Sequence, residues 1–137
     1  MSLPSCSSLL NVASRIAIAV PFVYMGYQAV KEPGARVNAV KNVGIPEEYA
    51  DAAVRANGAV MVLGGLAVGT GICSRLGGLA VAGSMVPTTL AAHSFWKDTD
   101  PKARGANRIQ FLKNLGMVGG LLAVAARPRR TACKRQD

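Results

Sequence analysis

The sequence predicts an all-α fold: a four-helix antiparallel transmembrane bundle with a short interfacial helix between spans 1 and 2. Three observations predict it. Half of the 137 residues are hydrophobic and only 17% are charged, and mean hydropathy is +0.27, greasy for a soluble chain of this size. The charges are clustered: Ile16–Val30, Ala56–Ser74, Leu76–Trp96 and Asn114–Ala126 contain no Asp, Glu, Lys or Arg. A soluble surface helix shows a charged face every turn or two, whereas a spanning helix needs roughly 20 mainly apolar residues. Finally, glycine-rich faces recur on runs joined by very short turns, which favours close antiparallel packing. These features argue against a soluble bundle.

Span 1 is expected over about 9–30. Arg15 lies two turns in, with Asn11 one turn earlier on the same face. Pro21 is a kink that membrane helices tolerate. Tyr24, Tyr27 and Lys31 then form an i, i+3, i+7 stripe, the pattern of an interfacial aromatic belt. In the polar connection, Ala35 to Val43 predicts a short interfacial helix with Val37, Val40 and Val43 toward lipid and Gly44 as its stop. Pro46-Glu47-Glu48 reads as a helix start, with proline in the first turn and carboxylates at the positive end of the dipole.

Span 2 is expected over about 55–73 and holds the Gly65–Gly69 GxxxG. Span 3, about 76–96, opens on Gly77-Gly78, continues through Gly83 and ends with Pro87-Thr88-Thr89 and His93. A charged loop leads to span 4, about 108–126, whose Gly116, Gly119 and Gly120 add a third small-residue face. The basic tail 127–137 is expected at an anionic headgroup surface. The whole chain, 1–137, reads as one membrane domain. Whether a glycine face also drives a homo-oligomer stays open.

The net charge of +9 does not point to nucleic acid, because the basic residues sit at segment ends and in the tail rather than along one helical face. Cys6, Cys73 and Cys133 form no CxxC and no metal spacing, and read as unpaired thiols. No cleaved signal peptide is expected, since no basic residue precedes Leu9. With an inside N-terminus, Arg75 and five tail residues lie inside and eight basic residues lie outside. That count favours the reverse orientation, while the density of the tail favours both termini in the cytosol, the reading adopted here.

Alternation of the spans collects His93, Lys113, Asn114, Tyr27, Gln28 and Asn57 toward one side, where His93 and Lys113 could face each other. Arg15 lies on the opposite side, nearer Cys73 and Arg75. Ionisable groups in a membrane are candidate functional sites. Every Asp and Glu lies in a loop, a helix-entry turn or at the C-terminus, so no carboxylate is expected at depth to neutralise Arg15 or Lys113. Their partners are then backbone carbonyls, headgroup phosphates, or a bound anion or carbonyl compound. This argues against a proton pump built on buried carboxylates and for a pocket that takes a quinone carbonyl, a small oxyanion or a lipid phosphate. An imidazole at His93 suits hydrogen bonding to a carbonyl or proton movement. The bland alternatives are snorkelling for Lys113 and Arg15 and an interhelical or headgroup hydrogen bond for His93. No haem, flavin or metal motif is present, and no nucleophile–base pair or phosphate-binding loop.

Ala56-Asn57-Gly58-Ala59-Val60-Met61-Val62-Leu63-Gly64-Gly65, then Gly71-Ile72-Cys73-Ser74-Arg75-Leu76, then Val86 to Leu122 with Phe95, Trp96, Phe111, Lys113 and Asn114, resemble the DoxX family, and within it the actinobacterial branch. The resemblance covers about Leu9 to Ala126. It implies a multi-pass, four-helix protein of the bacterial plasma membrane. It also implies a link to thiosulfate:quinone oxidoreductases or to membrane-attached thiol-redox and oxidative-stress complexes. One departure matters: many relatives place a glutamate near the position of Met61, and this chain has no carboxylate there.

Two functional readings follow. The first is a redox-associated membrane subunit that binds a quinone or a small thiosulfate-like anion near His93 and Lys113 and works with a partner oxidoreductase. The alternative is a non-enzymatic anchor or assembly factor that docks a soluble redox or stress-response partner through its loops and tail. A small transporter or lipid-binding protein is a third class. An anchor has no need of polar groups at depth.

Overall fold

The computed structural model describes residues 6–127. The tail beyond Arg127, Cys133 and Asp137 lie outside the described residues. The described chain is all helical: α1 Cys6–Lys31, α2 Arg36–Lys41, α3 Glu47–Thr70, α4 Ser74–Ala92, a 3₁₀ turn at Phe95–Lys97, and α5 Pro101–Ala125.

The helix ends follow from local chemistry. Gly71 ends α3 in the left-handed conformation (φ 81°), its N–H donating to the carbonyls of Ala67 and Val68. Cys73, also left-handed (φ 52°), then starts α4. The α3 helix therefore stops at Thr70, short of the expected boundary at 73. At the other end, α4 stops at Ala92 rather than 96, and His93 is its cap. Helix α5 begins at Pro101, seven residues before the expected start of span 4. Asp100 caps it by accepting the Ala103 N–H at 2.8 Å, and Pro101 occupies the first turn. Much of the expected charged loop is thus the first two turns of α5. Helix α1 runs through Pro21 without a break.

Four long helices run antiparallel in sequence order. Val30 and Gly26 of α1 lie against Arg55 and Gly58 of α3. Gly64 and Asn57 of α3 lie against Gly77 and Thr88 of α4. Gly78 and Thr89 of α4 lie against Leu121 and Asn114 of α5. Ile18 and Asn11 of α1 meet Gly120 and Arg127, closing the ring at one end. The largest fully buried side chains of the core come one from each long helix: Phe22, Val68, Val81 and Leu121, each under 2% exposed.

Two backbone crossings need glycine. A Cβ on Gly26 would sit 2.6 Å from the Gly58 carbonyl oxygen, and one on Gly58 would sit 2.7 Å from that of Gly26. Gly64 and Gly77 make the equivalent contact between α3 and α4. The GxxxG pair Gly65 and Gly69 does face α1, at Val23 and Ala19. The third glycine face is not a packing face: Gly116 and Gly119 have nothing within 4 Å of a Cβ position, and Gly120 alone approaches Ile18.

The short helix α2 exists, but it does not turn its valines outward as expected. It packs on α3 and α4. Val37 and Val40 are half-buried by that contact, and only Val43 is exposed.

By length and composition, Ser8–Lys31 and Glu47–Thr70 can each cross a membrane. Only 17% and 33% of these segments is buried inside the protein. A soluble core helix of that composition would be mostly covered. Exposed Leu63, Leu66, Leu76 and Leu112 continue the apolar surface around the bundle.

Candidate functional site

The candidate site residues divide among three polar places and one apolar groove. The first is a polar layer centred on α4. Thr88 and Thr89 are adjacent, and each receives an asparagine from a neighbouring helix. Asn57 Nδ2 of α3 donates to Thr88 Oγ1 at 3.2 Å and approaches Met61 Sδ at 3.6 Å. Asn114 Nδ2 of α5 donates to Thr89 Oγ1 at 3.0 Å. Thr89 is 8% exposed, the buried polar side chain of the described core. It needs this bond, because an unpaired hydroxyl in an apolar interior is costly. Thr88 Oγ1 donates to the Ser84 carbonyl at 2.8 Å.

Thr89 and Asn114 line a cleft of about 120 Å³ between α4 and α5, whose other walls include Met85, Val86, Phe111 and Leu115. Asn114 keeps a second amide hydrogen and its Oδ1 beyond the bond to Thr89. The cleft thus offers neutral hydrogen-bonding groups in an apolar wall, an arrangement suited to a carbonyl oxygen.

The second place is the α4–α5 corner. Asn107 Nδ2 donates to Asp98 Oδ2 at 2.8 Å, which turns its Oδ1 toward His93 Nδ1 at 3.3 Å. The imidazole therefore donates from Nδ1, and Nε2 stays outside this chain of bonds. Phe95, Trp96 and Phe111 pack edge to face around the same corner, with ring centroids 5.1, 5.5 and 6.0 Å apart. His93 does not face Lys113. Lys113 is exposed and donates to Gln110 Oε1 at 2.9 Å, reaching back along its own helix toward the bundle end. This is the geometry of a snorkelling lysine, and His93 and Lys113 make no hydrogen bond to each other. The reason is the cap: α4 ends before His93, so the imidazole bonds across to the extra first turns of α5.

Tyr27 and Gln28 stand apart from both. Gln28 Nε2 donates to Tyr24 Oη at 3.4 Å on the same helix. Tyr24 and Tyr27 lie at one end of an apolar groove of about 520 Å³ between α1 and α3, floored by Ala19, Gly65 and Gly69.

The third place is the opposite end. Arg15 lies beside Gly71, two residues before Cys73. Its Nη1 occupies the space that a Cβ on Gly71 would fill, so the guanidinium is level with the α3–α4 turn. Its Nε is buried without a hydrogen-bond partner. Arg127 reaches the same end of α1, donating to Asn11 Oδ1 at 2.6 Å and Ser14 Oγ at 3.4 Å.

Sequence reasoning singled out Asn57 and Asn114 without their partners, and missed Asn107 and Asp98. The Asp100-Pro101 helix start was the available signal: it places Asn107 one and a half turns into α5, within reach of the end of α4. Among the described residues, no group of three or more His, Cys, Asp or Glu is placed to hold a metal ion.

Residues 10–94 match the family model described as DoxX. The match covers α1 to α4 and His93, and it ends before α5, a narrower span than the resemblance over 9–126. Comparison with curated proteins and with solved structures finds no match.

Proposed function

The chain belongs to the DoxX family, a membrane family, and from that premise we propose that it is a four-span subunit of the bacterial plasma membrane that holds a quinone carbonyl and works with a partner oxidoreductase. Two long helices have the length and composition of spans. The contacts that lay α4 along α3, from Gly64–Gly77 to Asn57–Thr88, would carry α4 to the same depth. Those of α5 with α4 do the same for the fourth helix.

The observation that carries the ligand is the Thr89–Asn114 pair opening into the α4–α5 cleft. Its donors are neutral, which suits a carbonyl better than a thiosulfate-like dianion. The cleft has room for the edge of a carbonyl-bearing ring, with its apolar tail against exposed Val86 and Leu115. Electrons would pass between the quinone and the partner, and this chain would position the ring.

The test is quinone content after gentle extraction from the native membrane, for wild type and for Asn114→Leu with Thr89→Val. The reading expects quinone in the wild type and its loss in the double variant. A wild type without quinone, or equal content in both, removes it.

The anchor reading is favoured by one feature. Asn107 bonds both Asp98 and His93 within the corner, while Trp96 stays 49% exposed beside Lys97. It expects that Trp96→Ala abolishes partner recovery and that the cleft variants do not.

A further inference from the structure

We propose that the Arg15 end of the bundle is a specific site for an anionic phospholipid, with the phosphate on Arg15 and one acyl chain in the groove between α1 and α3. The proposal rests on the membrane placement of the chain and not on the α4–α5 cleft.

The head of the site is built from positive charge without a counter-charge. Arg15, Arg75 and Arg127 belong to this end, and among the described residues no carboxylate does. Arg15 is held in one direction: the Gly71 backbone leaves room for Nη1 that any side chain would take. Its Nε is buried and unpaired. The residue as a whole is half-buried rather than closed off, so an outside partner meets its Nη donors, which present a pair that fits phosphate oxygens. Arg127 is braced at the same end, since its partners Asn11 and Ser14 lie in the turn of α1 just before Arg15.

The tail of the site begins where the head ends. Ile16 and Thr70, the neighbours of Arg15 and Gly71, are the first residues of the apolar groove. From Ile16 to Tyr27 the groove follows α1 for roughly 17 Å at 1.5 Å per residue, about half the hydrocarbon thickness. Ala19, Gly65 and Gly69 keep its floor low because none carries more than a methyl group. A headgroup at Arg15 therefore places its chain in the groove, running toward the bilayer centre. A free phosphate would use the head and leave the groove empty.

The experiment is native mass spectrometry of the full chain in a neutral detergent. It is titrated with phosphatidylglycerol, phosphatidylcholine, glycerophosphoglycerol and inorganic phosphate, and repeated with Arg15→Gln and Arg15→Lys. One phosphatidylglycerol should bind tightly to the wild type, with roughly ten-fold weaker binding in Arg15→Gln and intermediate binding in Arg15→Lys. On wild type alone, phosphatidylglycerol should raise the unfolding temperature more than phosphatidylcholine does. That arm needs no variant to fold. Equal binding of the two lipids, or of phosphatidylglycerol to wild type and Arg15→Gln, would mean an annular lipid only and overturn the proposal. Binding of the soluble anions as tight as that of the lipid would also overturn it, in favour of a free-anion site.

Discussion

At the α4–α5 end, Glu47, Asp51, Asp98 and Asp100 each have a partner within the chain: Lys41, Arg55, Asn107 and the α5 N-terminus. At the Arg15 end, the described residues include arginines and no carboxylate, and one guanidinium nitrogen is buried unpaired. The first end closes four of its six carboxylates within the chain, Glu32 and Glu48 making no ion pair or side-chain bond among the described residues. The second leaves charge for something outside the chain. The difference separates two meanings of a polar group near a membrane. Where bonds close within the protein, substitution should be read out as stability. Where they stay open, it should be read out as binding.

The largest expected effect tests the closed end. Phe111 joins the Phe95–Trp96 cluster and also walls the α4–α5 cleft. Phe111→Ala should cost about 2–3 kcal/mol, the low end for an aromatic truncation because the ring is half-buried. Unfolding in detergent measures this, and the Trp96 fluorescence should shift with it. An unchanged transition would show that the corner is a surface ornament and not part of the fold.

A sharper test sets one polar substitution at each end side by side. Asn107→Ala strands both His93 Nδ1 and Asp98, and should cost about 1–2 kcal/mol. Arg15→Gln, measured in neutral detergent without anionic lipid, breaks no bond within the described chain and should fall within about 0.5 kcal/mol of wild type. If Arg15→Gln costs as much as Asn107→Ala, the contrast between the ends collapses.

How much of this was legible follows the same division. The charge-free runs gave the four long helices, because apolar length is a property of composition. Asn57 and Asn114 could be placed on one side, because antiparallel helices fix depth, whereas their partners Thr88 and Thr89 were not singled out. The packing surfaces were harder. The two tightest crossings, Gly26–Gly58 and Gly64–Gly77, pair single glycines on different helices. No spacing within either helix announces them, whereas the visible Gly116–Gly119–Gly120 set packs almost nothing. Rotation about the helix axis decides this, and it is set by the neighbours.

The smallest expected effect concerns Asp51. Arg55 Nε donates to Asp51 Oδ2 at 2.7 Å, and its Nη1 donates to the Val30 carbonyl near the end of α1. The ion pair is exposed, and an i, i+4 pair of this kind stabilises by about 0.3–0.5 kcal/mol. The carbonyl bond survives in Asp51→Asn, and a cation at a helix C-terminus keeps its favourable interaction with the dipole. Asp51→Asn should therefore shift unfolding by no more than about 0.5 kcal/mol, and the shift should shrink as salt is raised. A larger, salt-sensitive loss would mean that the carboxylate-rich end is held by its charges. The two ends would then differ in how many counter-charges they carry, and not in whether their bonds close within the chain.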